Sequence, residues 1–325
     1  MHRMLLCIVW LVLSCLDTSF SRHAKHANHP MERILGGDPA EQGQFPFFVK
    51  VINEKLGGQR EYCGGSLVSE SHVITAAHCV ASATPTALHI SHGRANNCEH
   101  RHTKRVTNIM IHPLYSHKEE DSILHDIAVI KLAQPFVVNA SSEWRPVPLS
   151  KDQTPIREED YVRVVGIGLI LNKNESDCIL RHVLLPVIAH DECYRRWKDV
   201  MDDVILIDKH TQICAGAYNR GTRKGDSGGA MVMTTSNQRH VQIALTAFGK
   251  NEPISDIPRQ DLYPGVYTRI APYCSWIEEV TQGDVKCALL EEISASDASS
   301  RAWPLLCSLL ISLFVQVDPT RYIHG

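Results

Sequence analysis

The segment Gly225-Asp226-Ser227-Gly228-Gly229 sets one hydroxyl among residues that favour tight turns. A serine hydroxyl is a weak nucleophile at its own pKa and needs an adjacent base. It also needs backbone N–H donors aimed at the oxyanion that forms on the attacked carbonyl. Flanking glycines let a turn present such donors with no side chain in the way. By itself such a cluster is more often a surface turn.

The candidate base lies in Thr75-Ala76-Ala77-His78-Cys79. Residues 64–68 before it read as a strand following a glycine turn, so His78 sits where strand gives way to loop. A third group must orient the base, and a buried carboxylate does this in known triads. Asp126 is placed for that, just before the apolar run Ile127-Ala128-Val129-Ile130. Each residue alone has an ordinary structural explanation. Together they point to acyl transfer.

The elements that would position these groups read as β-strands. Residues 45–52, 65–76, 127–132, 161–166, 183–188, 230–233 and 242–248 are β-branched and apolar, with turn-rich pieces between them. No alternation of strand and helix appears, so the class is all-β, barrels or sandwiches. One helix is expected over 274–281, where Trp276, Ile277 and Val280 share a face.

The chain has 325 residues, a formal charge of -3, 44% apolar and 21% charged residues. That suits a soluble globular protein of one or two domains, with no electrostatic pull toward nucleic acid or anionic membrane. A basic residue, an apolar run over 5–16 and the small residues Ser19 and Ser21 read as a secretory signal, residues 1–21. A membrane span would want ~20 apolar residues. Secretion permits disulfides among the 11 cysteines, of which Cys7 and Cys15 leave with the signal. Residues 22–33 are polar, rich in His and free of Cys, as a processing segment would be. From about 288 the composition changes again, and residues 303–317 are mostly apolar. Pro304, Gln316 and the polar last eight residues fit neither a span nor a lipid-anchor signal well. Anchor and plain tail stand side by side.

Taken with Arg33-Ile34-Leu35-Gly36-Gly37, these segments resemble the chymotrypsin-like serine proteases in content and order. The resemblance implies two six-stranded antiparallel β-barrels with a C-terminal helix, over residues 34–285, and a tail over 286–325. It implies His78 as general base, Asp126 as orienting carboxylate and Ser227 as nucleophile. The N–H groups of Gly225 and Ser227 would form the oxyanion hole. Cleavage after Arg33 would free the Ile34 ammonium to pair with Asp226, switching on an inactive precursor. Partners would be protein or peptide substrates, an activating protease and protease inhibitors. No cofactor or metal is implied. The rival reading is a catalytically inactive homologue that binds partners through the same fold.

The resemblance also implies the disulfides Cys63–Cys79 and Cys193–Cys214. Five cysteines then remain, and apart from Cys307 in the apolar run 303–317 the other four allow three connectivities among themselves. Cys98–Cys178 is favoured because the family's corresponding loops are neighbours, which leaves Cys274–Cys287. That last pair needs the chain to turn back after the helix, since a straight one would hold the two ~20 Å apart. Other family cysteine positions carry Arg223, Glu252, Val162 and Met233. Ala247 stands where many relatives have a serine that supports the triad aspartate.

The specificity pocket would be lined by Gly221, Thr222, Gly249 and Gly265, with Gly221 where trypsin-like members carry an aspartate. The pocket reads as open and uncharged, without strong preference for Arg or Lys and with large apolar residues as the alternative. Self-cleavage after Arg33 should then be poor, which calls for a separate activator. Asn139-Ala140-Ser141 and Asn174-Glu175-Ser176 match glycosylation acceptors. His89, His92, His100 and His102 show no fixed metal-ligand spacing and read as a solvated loop.

Overall fold

Phe48–Glu54 shows why the first half of the chain folds as sheet. Val49 and Val51 are β-branched, and every residue but the last is buried. Such a strand needs a partner on each edge and finds them in the next hairpins. A computed structural model describes residues 34, 36–55, 57–92, 102–116, 124–139, 141–152, 160–168, 179–198, 207–250 and 259–295. The strands in the first half are β1 (Asp38–Pro39), β2 (Phe48–Glu54), β3 (Arg60–Leu67), β4 (His72–Thr75), β5 (Leu88–His92), β6 (His102–Ile111) and β7 (Ala128–Leu132). The second half holds β8 (Leu149–Ser150), β9 (Tyr161–Gly166), β10 (Arg181–Ile188), helix α1 (His190–Lys198), β11 (Gln212–Ala215), β12 (Ala230–Thr234), β13 (His240–Phe248), β14 (Gly265–Arg269), helix α2 (Cys274–Val280) and β15 (Cys287–Ala288).

Strands β2-β3-β4-β7-β6-β5 close into one antiparallel barrel. A second closes in the order β9-β10-β11-β14-β13-β12 and back to β9, again antiparallel. Closure removes the unpaired edges that an open sheet would leave. One apolar cluster joins the barrels: Ile74 and Ile130 from the first share it with Val165, Val232 and Leu245 from the second. A second cluster fills the second barrel around Val164, Leu185, Met231 and Tyr267. Each such aliphatic side chain contributes about 1.5–3 kcal/mol when fully buried.

The expectation of one strand over 65–76 is corrected. A hairpin interrupts it at Ser69-Glu70-Ser71, where the Val68 amide donates to His72 O at 2.9 Å. The Ser71 amide donates to the Ser69 hydroxyl at 3.1 Å, a local turn that competes with strand. Gly64 and Gly65 also lie inside β3 and not after a turn. A Cβ on Gly64 would stand 2.8 Å from Gly229 Cα, so glycine there reflects the close approach of the second barrel.

Helix α1 was not anticipated. Only Cys193 and Trp197 of its nine residues are buried, one turn apart. Its signals were electrostatic: Asp191 and Glu192 in the first turn, Arg195, Arg196 and Lys198 in the last. Helix α2 matches the expected helix to within a residue. The chain then turns back through Gln282 and Gly283, both at positive φ, with the Gly283 amide donating to Glu278 O at 2.8 Å. This brings Cys274 and Cys287 into a disulfide with Cα atoms 5.8 Å apart. Order continues past residue 285: β15 pairs with β8, and Ile293 is buried. No helix among the described residues is long and apolar enough to cross a membrane. Residues 1–33 and the apolar run 303–317 lie outside the described residues.

Candidate active site

Strand β4 ends at Thr75, and a 3₁₀ turn over Ala77–Cys79 carries His78 out of the sheet. The Cys63–Cys79 disulfide ties that turn to β3, with Cα atoms 6.3 Å apart. Asp126 precedes β7, the neighbour of β4, so adjacent strands deliver the two side chains to one place. His78 Nδ1 donates to Asp126 Oδ2 at 2.7 Å, and the His78 amide donates to Oδ1 at 2.9 Å. The acid is dry and the base accessible: their side chains are 4% and 37% exposed. Burial alone would pull the His78 pKa down. The Asp126 charge and hydrogen bond outweigh it and hold the pKa above the ordinary histidine value. Among the described residues, Asp126 carboxylate oxygens accept only from His78, and Ala247 is buried without a hydroxyl to add.

Ser227 sits in the turn before β12, part-buried. The Gly64 amide of β3 donates to Ser227 O at 2.7 Å, and Thr75 Oγ1 donates to Gly64 O at 2.8 Å. The first barrel therefore holds the backbone of the serine turn that the second barrel supplies. A Cβ on Gly228, at φ +75°, would lie 2.2 Å from Thr75 Oγ1. Within the turn, the amides of Asp226, Gly228 and Gly229 donate to Arg223 O, Thr246 O and Asp226 O. Those of Gly225 and Ser227 donate to no acceptor among the described residues. His78 Nε2 has Cys79 Sγ at 3.6 Å, and Ser227 Oγ forms no hydrogen bond among the described residues. Such links are often looser before substrate arrives.

The Asp226 carboxylate is fully buried beneath the turn. Oδ1 accepts from the Gly168 amide at 2.7 Å and Oδ2 from the Arg223 amide at 2.8 Å. A Cβ on Gly166 would stand 2.1 Å from Oδ1, so that strand end must be bare. Ile34 is also fully buried and packs in the second-barrel cluster with Val164 and Met231. Its φ is +28°, a strained value for a β-branched residue.

Residues 34–277 match the trypsin family. The chain belongs to the trypsin family. Over 284 residues it is 32% identical to ovochymase of Halocynthia roretzi, an alignment covering 84% of this chain and 16% of that protein. Over 251 residues it is 30% identical to trypsin 5G1 of Aedes aegypti, covering 77% of this chain and 85% of the relative. Trypsin-family membership supports a serine-protease, hydrolase function, with protein or peptide as the substrate class.

Within this trypsin-family fold the Cys193–Cys214 disulfide joins α1 to β11. Cys98, Cys178, Arg33, Glu252, His100 and Asn174 lie outside the described residues. Val162 is buried where a family cysteine would stand, and Met233 packs on the same cluster. Apolar contact thus fills the place of a covalent link. His92 Nε2 donates to Pro46 O at 3.2 Å, and His89 lies 3.4 Å from Glu54, so these two have structural partners. Cys63, His78 and Cys79 also crowd together, but both sulfurs are in a disulfide and offer no thiolate.

One residue near the site escaped sequence reasoning. Gln260 is 6% exposed and packs against Gly216, Gly221 and Gly249. Its Nε2 donates to Thr222 O at 2.7 Å. A Cβ on Gly221 would fall 1.7 Å from its Oε1. The expectation of an open pocket base is therefore corrected: a carboxamide occupies the place. Gln260 comes from the irregular stretch before β14, whose path no local pattern predicts.

Proposed function

We propose that the chain is a secreted serine endopeptidase made as an inactive precursor, with His78, Asp126 and Ser227 as its triad. The observation that carries the proposal is the His78–Asp126 pair, supported by Gly225 and Ser227 amides that donate to no acceptor among the described residues. Ser227 Oγ attacks the peptide carbonyl carbon as His78 Nε2 takes the hydroxyl proton. The two amides donate to the oxygen that becomes negative. His78 then gives the proton to the departing amine, the C–N bond breaks and an acyl-enzyme remains. Water, deprotonated by the same imidazole, releases the acid and restores Ser227.

Residues 1–21 serve as signal and 22–33 as activation peptide. The cut after Arg33 creates the Ile34 ammonium, which pairs with Asp226 and orders the turn above it. The strained φ of Ile34 supports this, because cleavage removes the preceding peptide that defines that angle. The protease domain runs past 285 to about 295, on the disulfide and β15 pairing. Asn139 is exposed in a turn in which its Oδ1 accepts from the Ser141 amide, leaving Nδ2 open to a glycan. Gly221, Thr222, Gly249 and Gly265 line a pocket with no acid at its base, so Arg and Lys are not favoured. A separate trypsin-like activator cuts at Arg33, and protease inhibitors are further partners.

A fluorophosphonate probe tests the proposal. After cleavage at Arg33, labelling should appear and Ser227→Ala should abolish it. An unlabelled, correctly cleaved protein would show the inactive, binding homologue instead.

A further inference from the structure

The carboxamide of Gln260 is buried against Gly221 and Thr222 and only half used. Its Nε2 is spent on Thr222 O, while Oε1 has no hydrogen-bond partner among the described residues. Oε1 stands where a side chain on Gly221 would begin, at the pocket base. Nearby, the Tyr267 side chain is fully buried, and a Cβ on Gly265 would lie 2.9 Å from its hydroxyl. A buried acceptor without a donor costs free energy that a ligand can recover by supplying one.

We propose that Gln260 is the specificity-determining residue, accepting through Oε1 a hydrogen bond from a substrate side chain that ends in an uncharged N–H or O–H donor. This rests on the peptidase reading above. Tyrosine, glutamine and asparagine fit the description, with the side chain on the acyl side of the cut bond. Lysine and arginine do not: Gln260 is neutral, and both Asp226 oxygens already accept backbone amides. A buried cation would lack a countercharge. Apolar residues of equal size would leave Oε1 orphaned, and sites built to bond a polar group reject its apolar analogue.

The test compares matched peptides on the cleaved protein: Tyr against Phe, Gln against Met, and Arg. Wild type should favour Tyr over Phe and Gln over Met by about tenfold or more in kcat/KM. Gln260→Met keeps the volume and should bring both ratios near one. Gln260→Glu should raise cleavage after Arg at least tenfold. Equal rates for Tyr and Phe in wild type, ratios unchanged in Gln260→Met, or no gain for Arg in Gln260→Glu would each overturn the assignment. The wild-type ratios need no variant to fold. Binding of p-cresol against toluene, followed by NMR on the same sample, reads the pocket without catalysis. A protein that hydrolyses nothing yet prefers p-cresol, with the preference lost in Gln260→Met, sinks the peptidase reading and keeps this one. No hydrolysis and no preference sinks both.

Discussion

Asp126 grips His78 twice, by ring and by backbone, at 2.7 and 2.9 Å. The first bond sets the tautomer, leaving Nε2 unprotonated to act as base. The second holds the turn in which the ring is mounted. Asp126→Asn should therefore lower kcat about 10⁴-fold, the size of the effect for the family's triad aspartate. The pH profile adds a signature. Because the His78 pKa is raised, the imidazole stays protonated to higher pH, and kcat/KM should rise through a midpoint above about 6.5. In Asp126→Asn that midpoint should move down. A midpoint that stays put would argue that Asp126 does not act through His78.

The serine turn has no room beside the first barrel. Alanine at Gly228 would drive its Cβ to 2.2 Å from Thr75 Oγ1 and 2.4 Å from Gly64 O. The turn must shift, and misplacement by about 1 Å costs on the order of 10²-fold in rate. Active-site titration of Gly228→Ala should show that loss. Gly43→Ala also sits at positive φ but meets nothing within 4 Å, and should cost about 1 kcal/mol of stability with full activity.

Two disulfides of similar loop length should separate stability from catalysis. Cys63–Cys79 closes 16 residues and Cys274–Cys287 closes 13. Each is worth about 3 kcal/mol on the chain-entropy model. Replacing either pair by alanine should lower Tm by roughly 6–12 °C. Only loss of the first, which fixes the His78 turn, should also reduce kcat. Thermal melts and kinetics on both double variants decide this.

Activation should depend on Asp226 and not merely on the cut. Arg33→Gln should remain uncleaved and silent toward a fluorophosphonate. Asp226→Asn should be cleaved normally yet stay at least about 10²-fold less active, since the Ile34 ammonium then lacks a charged partner. Full activity in cleaved Asp226→Asn would end the switch idea.

Histidines make the fold acid-sensitive. Burial is the first cause that lowers the pKa values of His112, His125, His182 and His240, with Arg163 adding to it at the last two. A group that binds its proton less tightly when folded favours unfolding as pH falls below its unfolded value. Stability should thus decline as pH drops below about 6.5, the ordinary histidine value. The His78 shift is opposite in sign: its stabilising contribution is present below about 6.5 and fades as pH rises through the raised folded value. His240→Gln, which stacks on Phe45 with ring centroids 4.9 Å apart, should blunt the acid loss. Melts from pH 5 to 7.5 on both proteins measure it.

The sequence by itself determined the fold class and singled out the groups proposed to react. Ser227, His78 and Asp126 carry local signals in their glycines, strand ends and order. β-branched runs such as 161–166 commit to sheet wherever they are placed, because pleated, half-buried surface suits them. What only the tertiary structure decided lies in contacts between distant segments. The bond from Gly64 to Ser227 O, the arrival of Gln260 against Gly221 and the return of Cys287 to Cys274 each join pieces whose spacing carries no period. Helix α1 stayed hidden because two buried side chains make too narrow an apolar stripe to read. Periodicity reports which face of an element is buried. Where an irregular loop lands is set by the barrels packing on each other, and so the contact of Gln260 with Gly221 became visible only in three dimensions.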